Sequence, residues 1–165
     1  MKMIPIGQQV TVQYKSNEFN EVASLLRQRK SDTMGTVLVF TGMGTRMLEA
    51  AAKEFAWDLG MSIFRIDLDR VISKYIGETE KNLERVLRSA VLSQTILLFD
   101  EADALFGKRT NVKDAHDKYA NLEKSFLLDL LEQYKGIVIM LAHPSGEVLK
   151  RKSKTRRVLV RFPPR

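Results

Sequence analysis

The stretch TILLFDEADALFGKR, Thr95 to Arg109, decides the fold. Ile96, Leu97, Leu98 and Phe99 form a short apolar run that breaks at once into Asp100 and Glu101. A run that short, without alternation, reads as a strand buried on both faces, as in a parallel sheet. Open parallel sheets bind ligands beyond the carboxyl ends of their strands, which is where the two carboxylates fall. Chemistry of that kind would use Asp100 to hold Mg²⁺, directly or through water, and Glu101 to polarise a water for attack on a phosphoryl group. The same pair also reads as a plain cap on the helix that follows, and these six residues do not choose between the two.

The flanks repeat the pattern. Upstream, Ser62 to Asp67 (SIFRID) reads as a strand, Lys74 to Gly77 as a loop, and Glu78 to Ser93 as a helix with Leu83, Val86, Leu87, Ala90 and Val91 on one side. Further back, Thr36 to Thr41 (TVLVFT) is the first buried strand and Gly42-Met43-Gly44-Thr45 a turn. A helix follows from about Arg46 to Leu59, with Met47, Ala51, Phe55 and Leu59 as its apolar stripe and Gly60 ending it. Downstream come a polar loop from Phe106 to Asp117, a helix from Tyr119 to Lys135 with Leu122, Phe126, Leu130 and Tyr134 inward, a strand from Ile137 to Ala142, and a further strand from Val158 to Phe162. At the start of the chain, Val10, Val12 and Tyr14 alternate as in a half-buried strand. Glu18 to Lys30 reads as a helix, and Ser31 to Gly35 as a linker. Strands alternating with helices give a parallel sheet covered on both faces and joined by right-handed crossovers. That topology puts the Gly42 turn on the same sheet edge as Asp100 and Glu101, and a strand, a glycine turn and a helix is where a phosphate loop lies. The expected organisation is an N-terminal extension with one helix over 1–34 and an α/β core with a basic tail over 35–165.

The chain has 165 residues, 44% hydrophobic and 28% charged, which predicts one globular domain with a substantial core. It has no cysteine, which excludes a disulfide framework or a thiolate metal site and suits a reducing compartment. No apolar run approaches the ~18 residues of a membrane span. The opening MKMIPIGQQV has no apolar core of a signal peptide, so the expectation is a cytoplasmic protein without a membrane partner. The net charge of +7 is unevenly placed: residues 150 to 165 hold eight of the 27 basic residues and no acid. Such a run is a candidate phosphate-contacting arm for nucleic acid. Its lone aromatic, Phe162, gives no sign of base stacking, and a solvated tail reads as well.

Two longer segments carry a resemblance. Ile63 to Asn82, IFRIDLDRVISKYIGETEKN, and Phe99 to Leu122, FDEADALFGKRTNVKDAHDKYANL, are similar almost residue for residue to AAA+ ATPases of a bacterial subgroup of the AAA family. The resemblance covers roughly Gly35 to Pro163. It implies a three-layer αβα, P-loop NTPase-like large subdomain with five parallel strands in the order 5-1-4-3-2, counting from TVLVFT. It also implies ATP with Mg²⁺ and assembly into rings. It assigns the metal to Asp100 and catalysis to Asp100 and Glu101. It makes Lys74, Tyr75, Ile76 and Gly77 similar to the first pore loop, which grips substrate in the ring's channel, and it places the loop Gly107 to His116 near the pore and the subunit boundary. Tyr75 and Ile76 also read as ordinary packing. The chain stops at Arg165, so the lid subdomain is expected to be absent.

Against this family the chain departs where phosphate is held. The loop pattern G-x-x-x-x-G-K-[ST], aligned without gaps, falls on Gly42, Met43, Gly44, Thr45, Arg46, Met47, Leu48 and Glu49. Met47 stands for the second glycine, where backbone N–H groups approach phosphate closely. Leu48 stands for the lysine, a charge-assisted contact worth ~1.5–3 kcal/mol. Glu49 stands for the Mg²⁺-binding hydroxyl, putting negative charge where phosphate should sit or capping the helix itself. Arg46 is a substitute cation only in a different register. His143 holds the place of the polar sensor after the fourth strand, and also reads as an exposed loop histidine. Lys154 and Thr155 hold the places of the two arginine fingers, with Arg156 and Arg157 beside them. The expected function is a degenerate AAA+ domain, a pseudo-ATPase with weak or absent ATP binding. It would act through protein contacts, beside an active AAA+ homologue in a mixed ring. The alternatives are an active ATPase with a non-standard phosphate loop and a nucleic-acid-binding module using the basic tail.

Overall fold

In the computed structural model the described residues are 4–28, 35–67, 78–100, 102, 128–146 and 154–163. Among them, six strands form one sheet: β1 (Gln9–Gln13), β2 (Thr36–Thr41), β3 (Ser62–Ile66), β4 (Thr95–Phe99), β5 (Ile137–Leu141) and β6 (Arg156–Arg161). Their order is β1-β6-β2-β5-β4-β3, and every pairing is parallel. The five strands from β2 onward stand in the order expected from the resemblance. The difference is a sixth strand: β1 pairs with the outer side of β6, with Gln9 opposite Arg157 and Gln13 opposite Arg161. Parallel strands buried on both faces need no alternation, which is why TVLVFT, TILLF and IVIML are almost wholly apolar.

Side chains that alternate along the strands feed two cores. One gathers Leu38 and Phe40 of β2, Ile96 and Leu98 of β4, Ile139 of β5 and Val158 and Val160 of β6 under α1 (Asn17–Arg27) and α2 (Thr45–Asp58). The other gathers Val39, Leu97, Phe99, Val138, Met140 and Leu159 under α3 (Glu78–Leu92) and the helical segment 128–133. The N-terminal β1 and α1 belong to the first core through Val12, Phe19, Val22 and Leu26. Ser16 caps α1 by accepting a hydrogen bond from the Phe19 N–H at 3.2 Å. Tyr14 stacks on Phe162 with ring centroids 4.2 Å apart, so the end of β1 is sealed against the end of β6.

Two apolar stripes lie in a different register from the one read in the sequence. On α2 the buried residues are Leu48, Ala51, Ala52, Phe55 and Ala56, while Met47 and Leu59 are only half-buried. The spacing 48, 51, 52, 55, 56 is the full width of a core-facing stripe, and it leaves Met47 on its margin. In the segment before β5 the buried residues are Leu128, Leu131 and Tyr134, with Leu130 at the edge. Residues 119–127 of that expected helix lie outside the described residues. The basic run near the end is in part a strand: β6 lies between β1 and β2, and Arg157 is 4% exposed. From Arg156 to Arg161 the run is therefore built into the sheet and is not a free arm.

Candidate functional site at the carboxyl edge of the sheet

All strands run the same way, so the residues following them share one edge: Gly42 after β2, His143 two residues past β5, Asp100 after β4 and Asp67 after β3. Backbone bonds tie this edge together. Ala142 N–H donates to Phe40 O at 3.0 Å, Ala102 N–H to Leu141 O at 3.2 Å and Phe162 N–H to Thr41 O at 2.9 Å.

The turn from β2 into α2 contains only Gly42, Met43 and Gly44. Gly42 has φ +110°, and a Cβ there would lie 2.4 Å from Phe162 O, so glycine is required both by the backbone and by the neighbouring strand. Met43 packs against the first core. Gly44 is the N-cap of α2 and offers no side-chain acceptor; Met47 and Leu48 N–H both donate to Gly44 O. Thr45 and Arg46 are exposed in the first turn. In a phosphate loop the lysine and the hydroxyl residue open the helix, at its N-terminus. Here the second half of the aligned pattern is inside α2, and Leu48, at the lysine position, is 2% exposed within the core.

Glu49 does not cap the helix. One oxygen accepts from Lys53 Nζ at 2.9 Å and the other lies 3.8 Å from Arg65 Nη1. The hydrogen bond from Lys53, with the charges of Lys53 and Arg65, holds the Glu49 carboxyl below the usual carboxylate range. The Nη2 of Arg65 donates to Asp100 Oδ2 at 2.5 Å. Glu49, Arg65 and Asp100 thus form one ion-pair cluster in which the candidate metal ligand is engaged by a guanidinium. Arg65 was not singled out in the sequence. Its partner follows the neighbouring strand β4, a relation that only the sheet order creates.

His143 is exposed. Its Nδ1 lies 2.8 Å from Ser145 Oγ and accepts from Ser145 N–H at 3.3 Å, so the ring is turned into its own loop, which Gly146 N–H closes on His143 O at 2.8 Å. Lys154 and Thr155 precede β6, at the opposite edge of the sheet. Lys154 is exposed, whereas Thr155 is 1% exposed and its carbonyl accepts from Gly7 N–H. The structure therefore brings together Gly42 to Glu49, Asp100 and His143, and separates Lys154 and Thr155 from them. Glu101, the stretch Lys74 to Gly77 and the loop Gly107 to His116 lie outside the described residues. Among the described residues no three His, Cys, Asp or Glu side chains converge as a metal site, and no helix is long and apolar enough to cross a membrane.

A parallel three-layer α/β sheet with a glycine turn and an aspartate at one edge defines a P-loop NTPase-like protein. Within that class the chain belongs to the ATPase family associated with various cellular activities (AAA), whose sequence profile matches residues 41–162. It is 38% identical over 89 residues to an AAA family ATPase, y4kL, of Sinorhizobium fredii, covering 53% of this chain and 27% of that protein. It is 32% identical over 102 residues to the ATPase family gene 2 protein of Schizosaccharomyces pombe, covering 61% of this chain and 12% of that protein. To the cell division cycle protein 48 homologue of Archaeoglobus fulgidus it is 28% identical over 103 residues, covering 61% and 14%. The matched segments thus span about a quarter or less of these relatives' length. Membership of this family implies nucleotide and Mg²⁺ in general.

Proposed function

We propose that this chain is an AAA-family domain that does not run on ATP: a pseudo-ATPase that acts through protein contacts, docking beside an active AAA homologue that supplies the nucleotide. The observation that carries the reading is the register of α2. With Leu48 in the core and only three residues between β2 and α2, the lysine position of the pattern offers no ammonium to the β- and γ-phosphates. Glu49 and Asp100 are engaged by Lys53 and Arg65, so the residues present do not fit Mg²⁺-ATP.

The basic run is a weaker basis for nucleic-acid binding, because Arg156 and Arg157 lie within β6 and are half-buried and buried. Localisation in the cytoplasm belongs to the same proposal and fits a chain without cysteine.

A nucleotide-bound homologue would recruit this chain only if its own ATP favours the docked state, since a ligand without differential affinity shifts nothing. The direct test is analytical ultracentrifugation of the chain alone, with and without ATP and Mg²⁺. A monomer or weak dimer whose mass ignores ATP is expected. A nucleotide-dependent hexamer of this chain by itself would sink the reading.

A further inference from the structure

We propose that Arg65 takes, between Glu49 and Asp100, the place of a divalent cation, so that these two carboxylates are charge-balanced without Mg²⁺. The inference rests on the reading that this site does not hold Mg²⁺-ATP, and it supplies the reason that Asp100 alone does not keep a metal there. The fold dictates the geometry. Arg65 is opposite Leu98 in the β3–β4 register, and Asp100 follows Phe99. Ile63 on β3 and Ile96 and Leu98 on β4 join the core beneath α2, so by alternation Arg65 and Asp100 face α2 as well. Glu49 reaches the same space from the helix.

The fork of Arg65 spans the two carboxylates, with Nη2 2.5 Å from Asp100 Oδ2 and Nη1 3.8 Å from Glu49 Oε2. Lys53 adds a second positive charge on Glu49 at 2.9 Å. Two carboxylates are thereby balanced by two cations without a metal. Mg²⁺ demands oxygens at about 2.0–2.1 Å in near-octahedral array and sheds its waters reluctantly. A guanidinium hydrogen-bonded to the Asp100 oxygen occupies one of those directions and repels the incoming ion. Arg65 is half-exposed, and a pair of that kind is weak by itself. It needs only to outcompete a hydrated ion that has no phosphate oxygens to share.

The probe is Mn²⁺ alone, titrated into the full chain without nucleotide and read by the loss of the free-ion electron paramagnetic resonance signal. The variants are Arg65→Ala and Arg65→Gln, the second keeping the side chain's polar bulk in case the first does not fold, with circular dichroism melts to show that each variant is native. Both variants are expected to bind Mn²⁺ at least about tenfold more tightly than the unaltered chain, a change of ~1.4 kcal/mol. Adding Asp100→Asn to either should erase the gain. Equal binding by the unaltered chain and the variants, or a gain that survives Asp100→Asn, overturns the proposal. Because no nucleotide is present, that failure is separate from failure of the pseudo-ATPase reading, which turns on ATP binding by the unaltered chain.

Discussion

Leu48→Lys is the substitution a motif alignment recommends for restoring a phosphate loop, and the structure predicts that it damages the protein instead. Leu48 is 2% exposed, a full turn inside α2, and packs in the core beneath that helix with Ala51, Ala52 and Phe55. Removing a buried leucine's contacts alone costs ~2–5 kcal/mol. The lysine must also bury its ammonium or thread it out past the packed helix face, which adds to that loss. A total of at least about 3 kcal/mol lowers the melting temperature of a domain this size by roughly 6–12 °C, at ~2–4 °C per kcal/mol. Urea unfolding followed by circular dichroism at 222 nm measures the loss, and calorimetry with Mg²⁺-ATP on the same sample should show no gain in binding. A variant within 1 kcal/mol of the parent (about the smallest loss worth calling a core effect) that also binds ATP would refute the reasoning. It would place residue 48 at the phosphate, not in the core. The structure implies a different repair: lengthening the turn between Thr41 and Thr45 by insertion.

Gly42→Ala should destabilise by more than ~1 kcal/mol, because φ +110° is strained for alanine and its Cβ would strike Phe162 O. Gly44→Ser should be neutral or raise stability by a few tenths of a kcal/mol as a better N-cap, since a Cβ at Gly44 meets open space; urea midpoints for the two variants check the contrast. Burial pushes the Tyr134 phenol, which donates to Thr95 O at 3.3 Å, up to about 12. A folded value raised above the unfolded one means its contribution is intact below the unfolded pKa of about 10 and is lost as pH rises from there toward 12. Melting temperatures should accordingly fall between pH 10 and 11, and a Tyr134→Phe variant should fall less steeply.

Much of the fold was legible in the sequence because buried parallel strands announce themselves. TVLVFT and TILLF have the bounds expected, and the five strands from β2 onward stand in the order that the family resemblance implies. The sixth strand's position was not legible: QVTVQ alternates like any half-buried strand, and nothing local says that it pairs with β6 across most of the chain. The register of α2 is less legible, because two overlapping apolar stripes run along it. An i, i+4 stripe of Met47, Ala51, Phe55 and Leu59 and the motif alignment both leave Leu48 off the core face, whereas the wider 48, 51, 52, 55, 56 spacing buries it, with small alanines letting α2 sit close to the sheet. Arg156 and Arg157 looked like tail because charges seldom begin a central strand, and it is the backbone pairing with β2 that fixes them there. At the carboxyl edge, the position of Asp100 after β4 is legible from the apolar run before it. Arg65 was invisible for the opposite reason, since a single arginine in SIFRID acquires a role only when β3 and β4 lie side by side.

The central claim is that this AAA domain does not hold ATP, and isothermal titration calorimetry of the full chain with Mg²⁺-ATP tests it most directly. The account predicts no saturable binding tighter than the high micromolar range and no phosphate released during the titration. Saturable binding in the low micromolar range would contradict it and return Arg46 as the cation that meets the phosphates.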